Sequence, residues 1–112
     1  MVKNYIPDRG DLIWLNFQPQ AGNEHNKRRP AIVLSPKKYN KLTSLFVVCP
    51  ITSKIKSYPF EVMVDIKGKK GVVLSDQIKS LDWKIRKADF IAKANKKTLN
   101  EVLSKVFALI ET

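Results

Sequence analysis

The chain has 112 residues, with 21 Lys and Arg against 10 Asp and Glu, and a formal net charge of +11. Its length suits a single domain over residues 1–112 with one hydrophobic core, and the scattered glycines and prolines do not suggest a long linker. No apolar run approaches the ~20 residues that a membrane span needs. The positive charge predicts a polyanionic partner, but charge alone leaves RNA, DNA, an acidic protein and an anionic membrane open.

Cysteine usage and the N-terminus indicate where the protein works. Cys49 is the sole cysteine, so an internal disulfide is impossible and a reducing cytoplasm is the simplest setting. Its place within an apolar run predicts a role in core packing. Residues 1–5 lack the apolar region of a signal peptide. We therefore expect a soluble cytoplasmic protein that does not enter a membrane.

The first half of the chain predicts two strands around a long loop. Residues 11–17 form the first strand, and a loop follows that is long for a hairpin connection. Pro30 lacks a backbone donor, so the second strand is expected to begin just after it, over 31–34. Ser35 followed by proline predicts a helix N-cap with proline in the first helical position, and a short helical turn over 37–40.

The second half predicts further strands. The third, over 45–51, is apolar throughout and is expected to be central. Residues 60–64 alternate and predict a fourth strand, residues 68–71 predict a turn, and 71–75 predict a fifth strand. A last short strand is expected over 88–92.

A helix is predicted at the C-terminus. Thr98 and Glu101 have the spacing of a capping box, in which each side chain accepts a hydrogen bond from a free backbone N–H. An apolar stripe follows at helical spacing: Leu99, Val102, Leu103, Val106, Phe107 and Ile110. The stripe is expected to pack on the sheet, with a share in a dimer contact as the alternative. The fold class is therefore mainly β, a small curved antiparallel sheet or barrel with a C-terminal helix.

Pairing of strands 31–34 and 45–51 would bring two polar side chains together. In an antiparallel hairpin the start of one strand lies beside the end of the other, so Arg29 and Thr52 would share one rim of the sheet. A guanidinium can bind two phosphate oxygens at once, and the hydroxyls of Thr52 and Ser53 can donate to the same oxygens. The structural alternatives are solvated arginines and an ordinary turn.

The remaining residue types favour RNA cleavage without a metal. One His and one Cys cannot supply a closed zinc site, the carboxylates are not paired as in a magnesium nuclease, and no Walker-type phosphate loop is present. Attack by a ribose 2′-OH needs a base, an acid and a group that stabilises the extra charge on phosphate. His25 is the one residue of a type that titrates near neutrality when unperturbed, and Glu24 is a carboxylate in the same loop. Both are therefore candidates for the base, although His25 also suits a surface loop.

An ordered set of motifs resembles one toxin family. The segments are DRGDLIW at 8–14, GNE at 22–24, RPAIVLS at 29–35, VCPIT at 48–52, YPFEV at 58–62 and VVLSDQIKS at 72–80. Together they resemble the MazF/PemK (Kid) toxins from about Tyr5 to the terminal helix. The resemblance implies an SH3-like barrel shared with CcdB, a homodimer, and a bacterial ribosome-independent endoribonuclease. It also implies cleavage of single-stranded RNA without metal or cofactor, leaving a 2′,3′-cyclic phosphate and a 5′-OH, and inhibition by a MazE-like antitoxin.

The resemblance also implies roles for single residues. Arg29, Thr52 and Glu24 match catalytic positions of the family. The predicted RNA-binding set is Phe17, His25, Lys27, Arg28, Ser53, Lys56, Asp76 and Gln77. PemK-type relatives carry an arginine just before the Asp76 equivalent, where this chain has Leu74 and Ser75, so the MazF-type arrangement is the better template.

The identity of the base and the choice between functions on this fold stay open at this point. A guanidinium stays protonated at physiological pH, so Arg29 is favoured as a stabiliser of the phosphorane, and the base is left among Glu24, His25 and a bound water. A CcdB-like gyrase poison and a plain nucleic-acid-binding module are the alternative functions on the same fold. The gyrase poison would bind gyrase without cutting RNA, and the binding module would show salt-sensitive binding without product.

Overall fold

The computed structural model describes residues 4–17 and 28–111. These residues form seven strands and two helices. In chain order they are β1 (Asp11–Asn16), β2 (Arg28–Val33), α1 (Lys37–Thr43), β3 (Leu45–Thr52), β4 (Glu61–Ile66), β5 (Lys69–Leu74), β6 (Lys79–Asp82), β7 (Asp89–Lys93) and α2 (Lys96–Glu111).

The strands form one curved antiparallel sheet in the order β4-β5-β3-β2-β1-β7, with β6 also paired to β3. Strand β3 is the centre of this arrangement. Its first half, Leu45–Val48, pairs with β6, and its last two residues, Ile51 and Thr52, pair with β5. The predicted fold class is therefore confirmed: a mainly β, SH3-like curved sheet with a central third strand and a C-terminal helix.

Side chains on the two faces of the sheet enter two separate cores, as the alternation along a strand requires. On β1, Leu12 belongs to the first core, whereas Ile13 and Leu15 belong to the second. Helix α2 closes the first core with Val102 and Val106.

The second core is closed on the other face. It contains Phe46 of β3, which is fully buried, and Trp83, whose indole N–H donates to the main-chain oxygen of Asn40 at 2.8 Å. This bond ties the segment after β6 to helix α1.

Strand β2 begins earlier than predicted. It starts at Arg28 and contains Pro30, which lies opposite Trp14 of β1. Pairing of β2 with β3 begins only at Ala31. Pro30 therefore lies where the strand has one neighbour, and its missing donor costs no ladder bond to β3.

The predicted cap of α1 is wrong. The N-cap is Pro36, and no side chain caps the helix, which runs to Thr43 rather than ending after one turn. Ser35 instead bridges buried groups. Its hydroxyl donates to Asn40 Oδ1 at 2.6 Å and accepts from the backbone N–H of Val47 at 2.8 Å. The serine hydroxyl is therefore engaged by Asn40 and by β3 rather than by the first turn of the helix.

The predicted capping box of α2 is also wrong. The helix begins at Lys96, and Asn95 Oδ1 accepts from the backbone N–H of Thr98 at 2.8 Å. Asn95 is thus the capping side chain, with Thr98 in the first turn. Packing of the stripe on the sheet is confirmed for Val102 and Val106, while Phe107 is 57% exposed. In the described part of the chain, no helix is long and apolar enough to cross a membrane.

The turn after β4 is shorter than predicted. Lys67 and Gly68 form it, both with positive φ, and Asp65 Oδ1 accepts from the Gly68 N–H at 2.8 Å. Two left-handed residues are typical of a tight hairpin whose twist matches its strands. Consequently Lys69 and Lys70 belong to β5. Strand β6 was not predicted, because its four residues carry little apolar pattern.

Candidate active site

The hairpin of β2 and β3 places Arg29 beside Thr52, as the sequence predicted. The observed pairs are Ala31 with Pro50 and Ile32 with Cys49. Continued by two residues, this register sets Arg29 opposite Thr52. Both line one groove with a volume of about 540 Å³. The pairing that the sequence indicated is thus present, and it opens onto a surface large enough for a ligand.

The groove has one basic wall and one apolar wall. The basic wall comes from the β4–β5 hairpin, where Lys67 lies in the turn and Lys69 and Lys70 lie at the start of β5; these three residues are called here the lysine hairpin. All three lysines are exposed. The other lining residues besides Arg29 and Thr52 are Trp14, Pro30, Ile51, Ser53, Ile66, Gly71, Phe90 and Ile91. Cations beside exposed aromatic rings suit a ligand with phosphates and flat bases.

Thr52 is the last residue of β3 and lines the groove. It is half-buried, and its Oγ1 accepts a hydrogen bond from the backbone N–H of Lys54 at 3.1 Å. A hydroxyl that accepts one bond keeps its proton for donation to another partner. Thr52 can therefore donate a hydrogen bond to an anion in the groove.

Gly71 permits this close packing of β5 against β3. A Cβ at Gly71 would lie 2.8 Å from the main-chain oxygen of Thr52 and 3.5 Å from the Ile51 Cγ2. Because the nearest atom belongs to backbone, it cannot move aside alone. The missing side chain at Gly71 thus fixes how near the lysine-bearing strand lies to Thr52.

The two adjacent arginines differ in their surroundings. Arg29 is exposed and makes no side-chain hydrogen bond or ion pair within residues 4–17 and 28–111. Arg28 instead donates to Asn16 Oδ1 at 3.2 Å, to the main-chain oxygen of Lys87 at 3.0 Å and to Asp89 Oδ2 at 3.1 Å. Arg28 thus joins β2 to β7, and its predicted contact with RNA stays a prediction.

The structure brings some of the predicted RNA-binding residues to the groove and leaves others outside it. Ser53 lines the groove with Thr52. Phe17 is half-buried and packs against the second core, and Gln77 is exposed on the connection after β5. Neither residue lines the groove, so an RNA strand bound there would contact Phe17 or Gln77 only if it extended beyond the groove.

Two further predicted residues are tied to the connection after β3. The backbone N–H of Lys56 donates to the Glu61 carboxylate, and Asp76 Oδ1 accepts from the Tyr58 hydroxyl at 2.8 Å. This hydrogen bond is the largest cause that raises the pKa of Tyr58. Lys56 and Asp76 are both exposed and lie outside the groove lining.

Three predicted residues lie outside the described part of the chain: Glu24, His25 and Lys27. Two of them, Glu24 and His25, are the side chains proposed as the base. In the described residues, no three His, Cys, Asp or Glu side chains cluster so as to hold a metal ion.

Sequence reasoning missed most of the groove walls. The sequence of the lysine hairpin was interpreted only as a turn, although its run of lysines is a signal of a surface that binds a polyanion. Trp14 is 42% exposed and Phe90 is 51% exposed. Their place in the groove depends on β7 pairing with β1, which no local pattern shows.

Comparison with known proteins gives the family. Residues 8–110 match the family model described as PemK-like, MazF-like toxin of type II toxin-antitoxin system. The chain belongs to this family. It is 42% identical over 110 residues to the endoribonuclease toxin MazF of Escherichia coli K12, an alignment that covers 98% of this chain and 99% of the relative. This chain is therefore an endoribonuclease toxin of the PemK/MazF family.

Solved structures of the family agree with the fold. The MazF structure from Deinococcus radiodurans superposes with a TM-score of 0.86 at 50% identity, covering 97% of this chain and all (100%) of that one. A MazE-MazF structure from the same organism gives a TM-score of 0.84 at 46% identity, covering 96% and 97%. The family toxins thus share the curved sheet and the C-terminal helix of this chain.

Proposed function

We propose that this family member cuts single-stranded RNA at short sequences in the groove, without ribosome or metal ion. The ribose 2′-oxygen attacks the adjacent phosphorus, so a 2′-O–P bond forms and the P–O5′ bond breaks. A base takes the 2′-OH proton, and the departing O5′ takes up a proton. The products are a 2′,3′-cyclic phosphate end and a 5′-OH end.

The placement of Arg29 beside Thr52 in an open groove carries this proposal. Attack on phosphorus adds negative charge to the phosphate oxygens, and fixed donors at that point lower the barrier. The Arg29 guanidinium offers two parallel N–H donors, and the Thr52 hydroxyl, which already accepts from Lys54, offers its proton. Ser53 lies next to Thr52 in the lining and offers a second hydroxyl.

The walls of the groove support a strand of RNA on either side of that phosphate. The lysine hairpin supplies three cations along one wall, which attract the flanking phosphates. Trp14 and Phe90 are exposed rings on which bases can stack, as in other sites for single strands.

The proton transfers are assigned by chemistry. A guanidinium group does not lose its proton in proteins, so we assign Arg29 as the stabiliser of the phosphorane and a donor toward the leaving oxygen rather than as the base. Glu24 and His25 are the candidates for the base, with a bound water as the alternative. Variants Glu24→Gln and His25→Ala, compared in pH–rate profiles, distinguish them, because the true base shapes the acidic limb.

We also propose that the toxin acts as a homodimer in the bacterial cytoplasm and is inhibited by a MazE-like antitoxin. The relative from Deinococcus is described in a MazE-MazF complex. A net charge of +11 attracts an acidic antitoxin segment as well as RNA. An antitoxin that covers the groove would compete with RNA, and sedimentation of the free toxin measures the dimer.

The test is cleavage of a long single-stranded RNA by purified protein in EDTA, with mapping of the 5′-OH ends. A matched oligonucleotide with a single 2′-deoxy residue at a mapped site should stay intact, because the attacking group is gone. Arg29→Ala should lower the cleavage rate about 10²-fold or more, the usual scale for one electrostatic stabiliser.

The control is Lys38→Ala, which removes one exposed positive charge on α1 outside the groove. It should cleave at the wild-type rate. Cleavage of the 2′-deoxy oligonucleotide would refute the mechanism. Salt-sensitive binding without product would favour the plain binding module instead.

A further inference from the structure

The connection from β3 to β4 is closed by one acidic side chain. It leaves the groove at Ser53 and returns to the sheet at Glu61. The Ser57 N–H donates to Glu61 Oε1 at 2.8 Å, and the Lys56 N–H donates to both carboxylate oxygens at 3.2 and 3.1 Å. The Glu61 N–H in turn donates to the main-chain oxygen of Tyr58 at 3.0 Å. A single half-buried carboxylate thus fixes the turn in this connection.

The backbone of the connection needs such a restraint. Ser57 adopts φ of 61°, a left-handed conformation that is unfavourable for a residue with a side chain. Charge-assisted hydrogen bonds from consecutive N–H groups offset that cost. The free connection would otherwise sample several conformations.

The other end of the same connection is attached to the catalytic hydroxyl. The Lys54 N–H donates to Thr52 Oγ1 at 3.1 Å. A hydroxyl hydrogen rotates to suit its partners, so this bond directs the Thr52 proton away from Lys54. The orientation of the Thr52 hydroxyl therefore depends on the path of the connection two residues later.

We propose that Glu61 is a positioning residue for RNA cleavage, since it holds the connection so that the Thr52 hydroxyl is aimed at the phosphate. This inference rests on the proposed function, in which Thr52 donates to that phosphate. Glu61 is outside the groove lining, so its role is to position the connection rather than to bind the phosphate. Its negative charge is engaged by backbone donors, which explains why an acidic residue is tolerated beside a site for a polyanion.

A second bond attaches the connection to the segment after β5. The Tyr58 hydroxyl donates to Asp76 Oδ1 at 2.8 Å. Asp76 was predicted to contact RNA, and this bond gives it a second role as an anchor for the connection. Glu61 and Tyr58 therefore hold the connection from two directions, with Glu61 making the larger number of hydrogen bonds.

The test compares the steady-state kinetics of Glu61→Ala, Glu61→Gln and Glu61→Asp on an RNA with one mapped site. Glu61→Ala should lower kcat by about ten- to a hundredfold with little change in KM, because small displacements of a catalytic group have effects of that size. Glu61→Gln keeps a carbonyl oxygen for the Ser57 N–H and should recover most of the rate. The matched control is Glu101→Ala, which removes an exposed carboxylate from α2 and should leave kcat unchanged.

Amide hydrogen exchange gives a readout independent of RNA. The amides of Lys54, Lys56 and Ser57 should exchange faster in Glu61→Ala than in wild type, while amides of the central strands stay protected. If wild type does not cleave RNA, the proposed function fails, and exchange still tests whether Glu61 fixes the connection. If wild type cleaves and Glu61→Ala has its kcat, the positioning role is refuted.

The shorter carboxylate keeps the test decisive if the alanine variant does not fold. Glu61→Asp retains the charge, but it withdraws the oxygens from the two N–H groups by about one carbon–carbon bond. A lowered kcat with an unchanged melting temperature supports the inference, and a wild-type kcat overturns it.

Discussion

Replacement of Gly71 by alanine tests how strand packing sets the active site. The new Cβ would lie 2.8 Å from the main-chain oxygen of Thr52, a separation that real side chains essentially never show. Strands β3 and β5 must therefore move apart by a few tenths of an ångström where Thr52 pairs with Val72. Because the displaced atom belongs to Thr52 itself, the displacement acts directly on the residue whose hydroxyl we propose to bind the phosphate.

The size of the effect follows from two opposing terms. Overpacking in a filled interior costs about 1–3 kcal/mol. Replacing glycine by alanine stabilises the protein by about 0.4–1 kcal/mol, because it lowers the conformational entropy of the unfolded chain. We expect Gly71→Ala to lower the free energy of unfolding by about 1–2 kcal/mol. Displacement of Thr52 should lower the cleavage rate more strongly, on the order of 10²-fold.

Gly68→Ala is the matched control for this substitution. Gly68 has φ of 90°, and a Cβ there meets nothing within 4 Å. Its cost is backbone strain of about 1–2 kcal/mol at the hairpin turn, with no contact to Thr52. Urea unfolding and initial cleavage rates at a saturating RNA concentration measure both effects. Equal cleavage by the two variants, at equal stability, would refute the link between Gly71 and Thr52.

Three further predictions concern charge, burial and capping. Alanine at all three positions of the lysine hairpin should weaken the salt dependence of RNA binding, measured on an uncleavable 2′-deoxy oligonucleotide. The slope of the log binding constant against log salt should become shallower by about 2, since each phosphate contact of a single strand contributes about 0.7. A matched triple substitution at Lys38, Lys41 and Lys84 should have a smaller effect, and equal effects would contradict the assignment. Burial raises the pKa of the Cys49 thiol from 9.0 to about 12, so native protein at pH 8 should resist iodoacetamide in intact-mass measurements while unfolded protein labels fully. Because this pKa is raised on folding, the thiol's contribution to stability is complete below pH 9 and is lost as pH rises toward 12, and rapid native labelling would disprove the burial. Asn95→Ala should lower the free energy of unfolding by about 1 kcal/mol, and Thr98→Ala should lower it by less than about 0.5 kcal/mol. The reverse order in urea titrations would show that Thr98, and not Asn95, is the capping residue.

Local pattern was sufficient for the central hairpin. Strand β3 was expected to be central because its residues are apolar on both faces, and it pairs with β2, β5 and β6. The antiparallel pairing of β2 and β3 was enough to bring Arg29 beside Thr52. Side-chain alternation decides the register of two strands that are neighbours along the chain, because a slip of one residue would move every apolar side chain to the other face.

Polar side chains with several available partners were harder to predict. Ser35 has the spacing of a helix cap, but its hydroxyl bonds to Asn40 and Val47 in the interior. Thr98 has the spacing of a capping box, but Asn95 lies three residues earlier and caps the helix. In both cases the sequence offers two partners of similar chemistry, and packing selects between them.

By itself, the sequence determined the mainly β fold, the C-terminal helix and the placement of Arg29 and Thr52 at one rim of the sheet, because these depend on periodicity and on neighbours close along the chain. Only the tertiary structure decided the walls of the groove. The lysine hairpin lies near Thr52 because β5 pairs with β3 and Gly71 allows close approach. Phe90 lines the same groove as Trp14 because β7 pairs with β1. Pairings between distant strands depend on which surfaces remain unfilled after the local elements have formed, so no single segment encodes them.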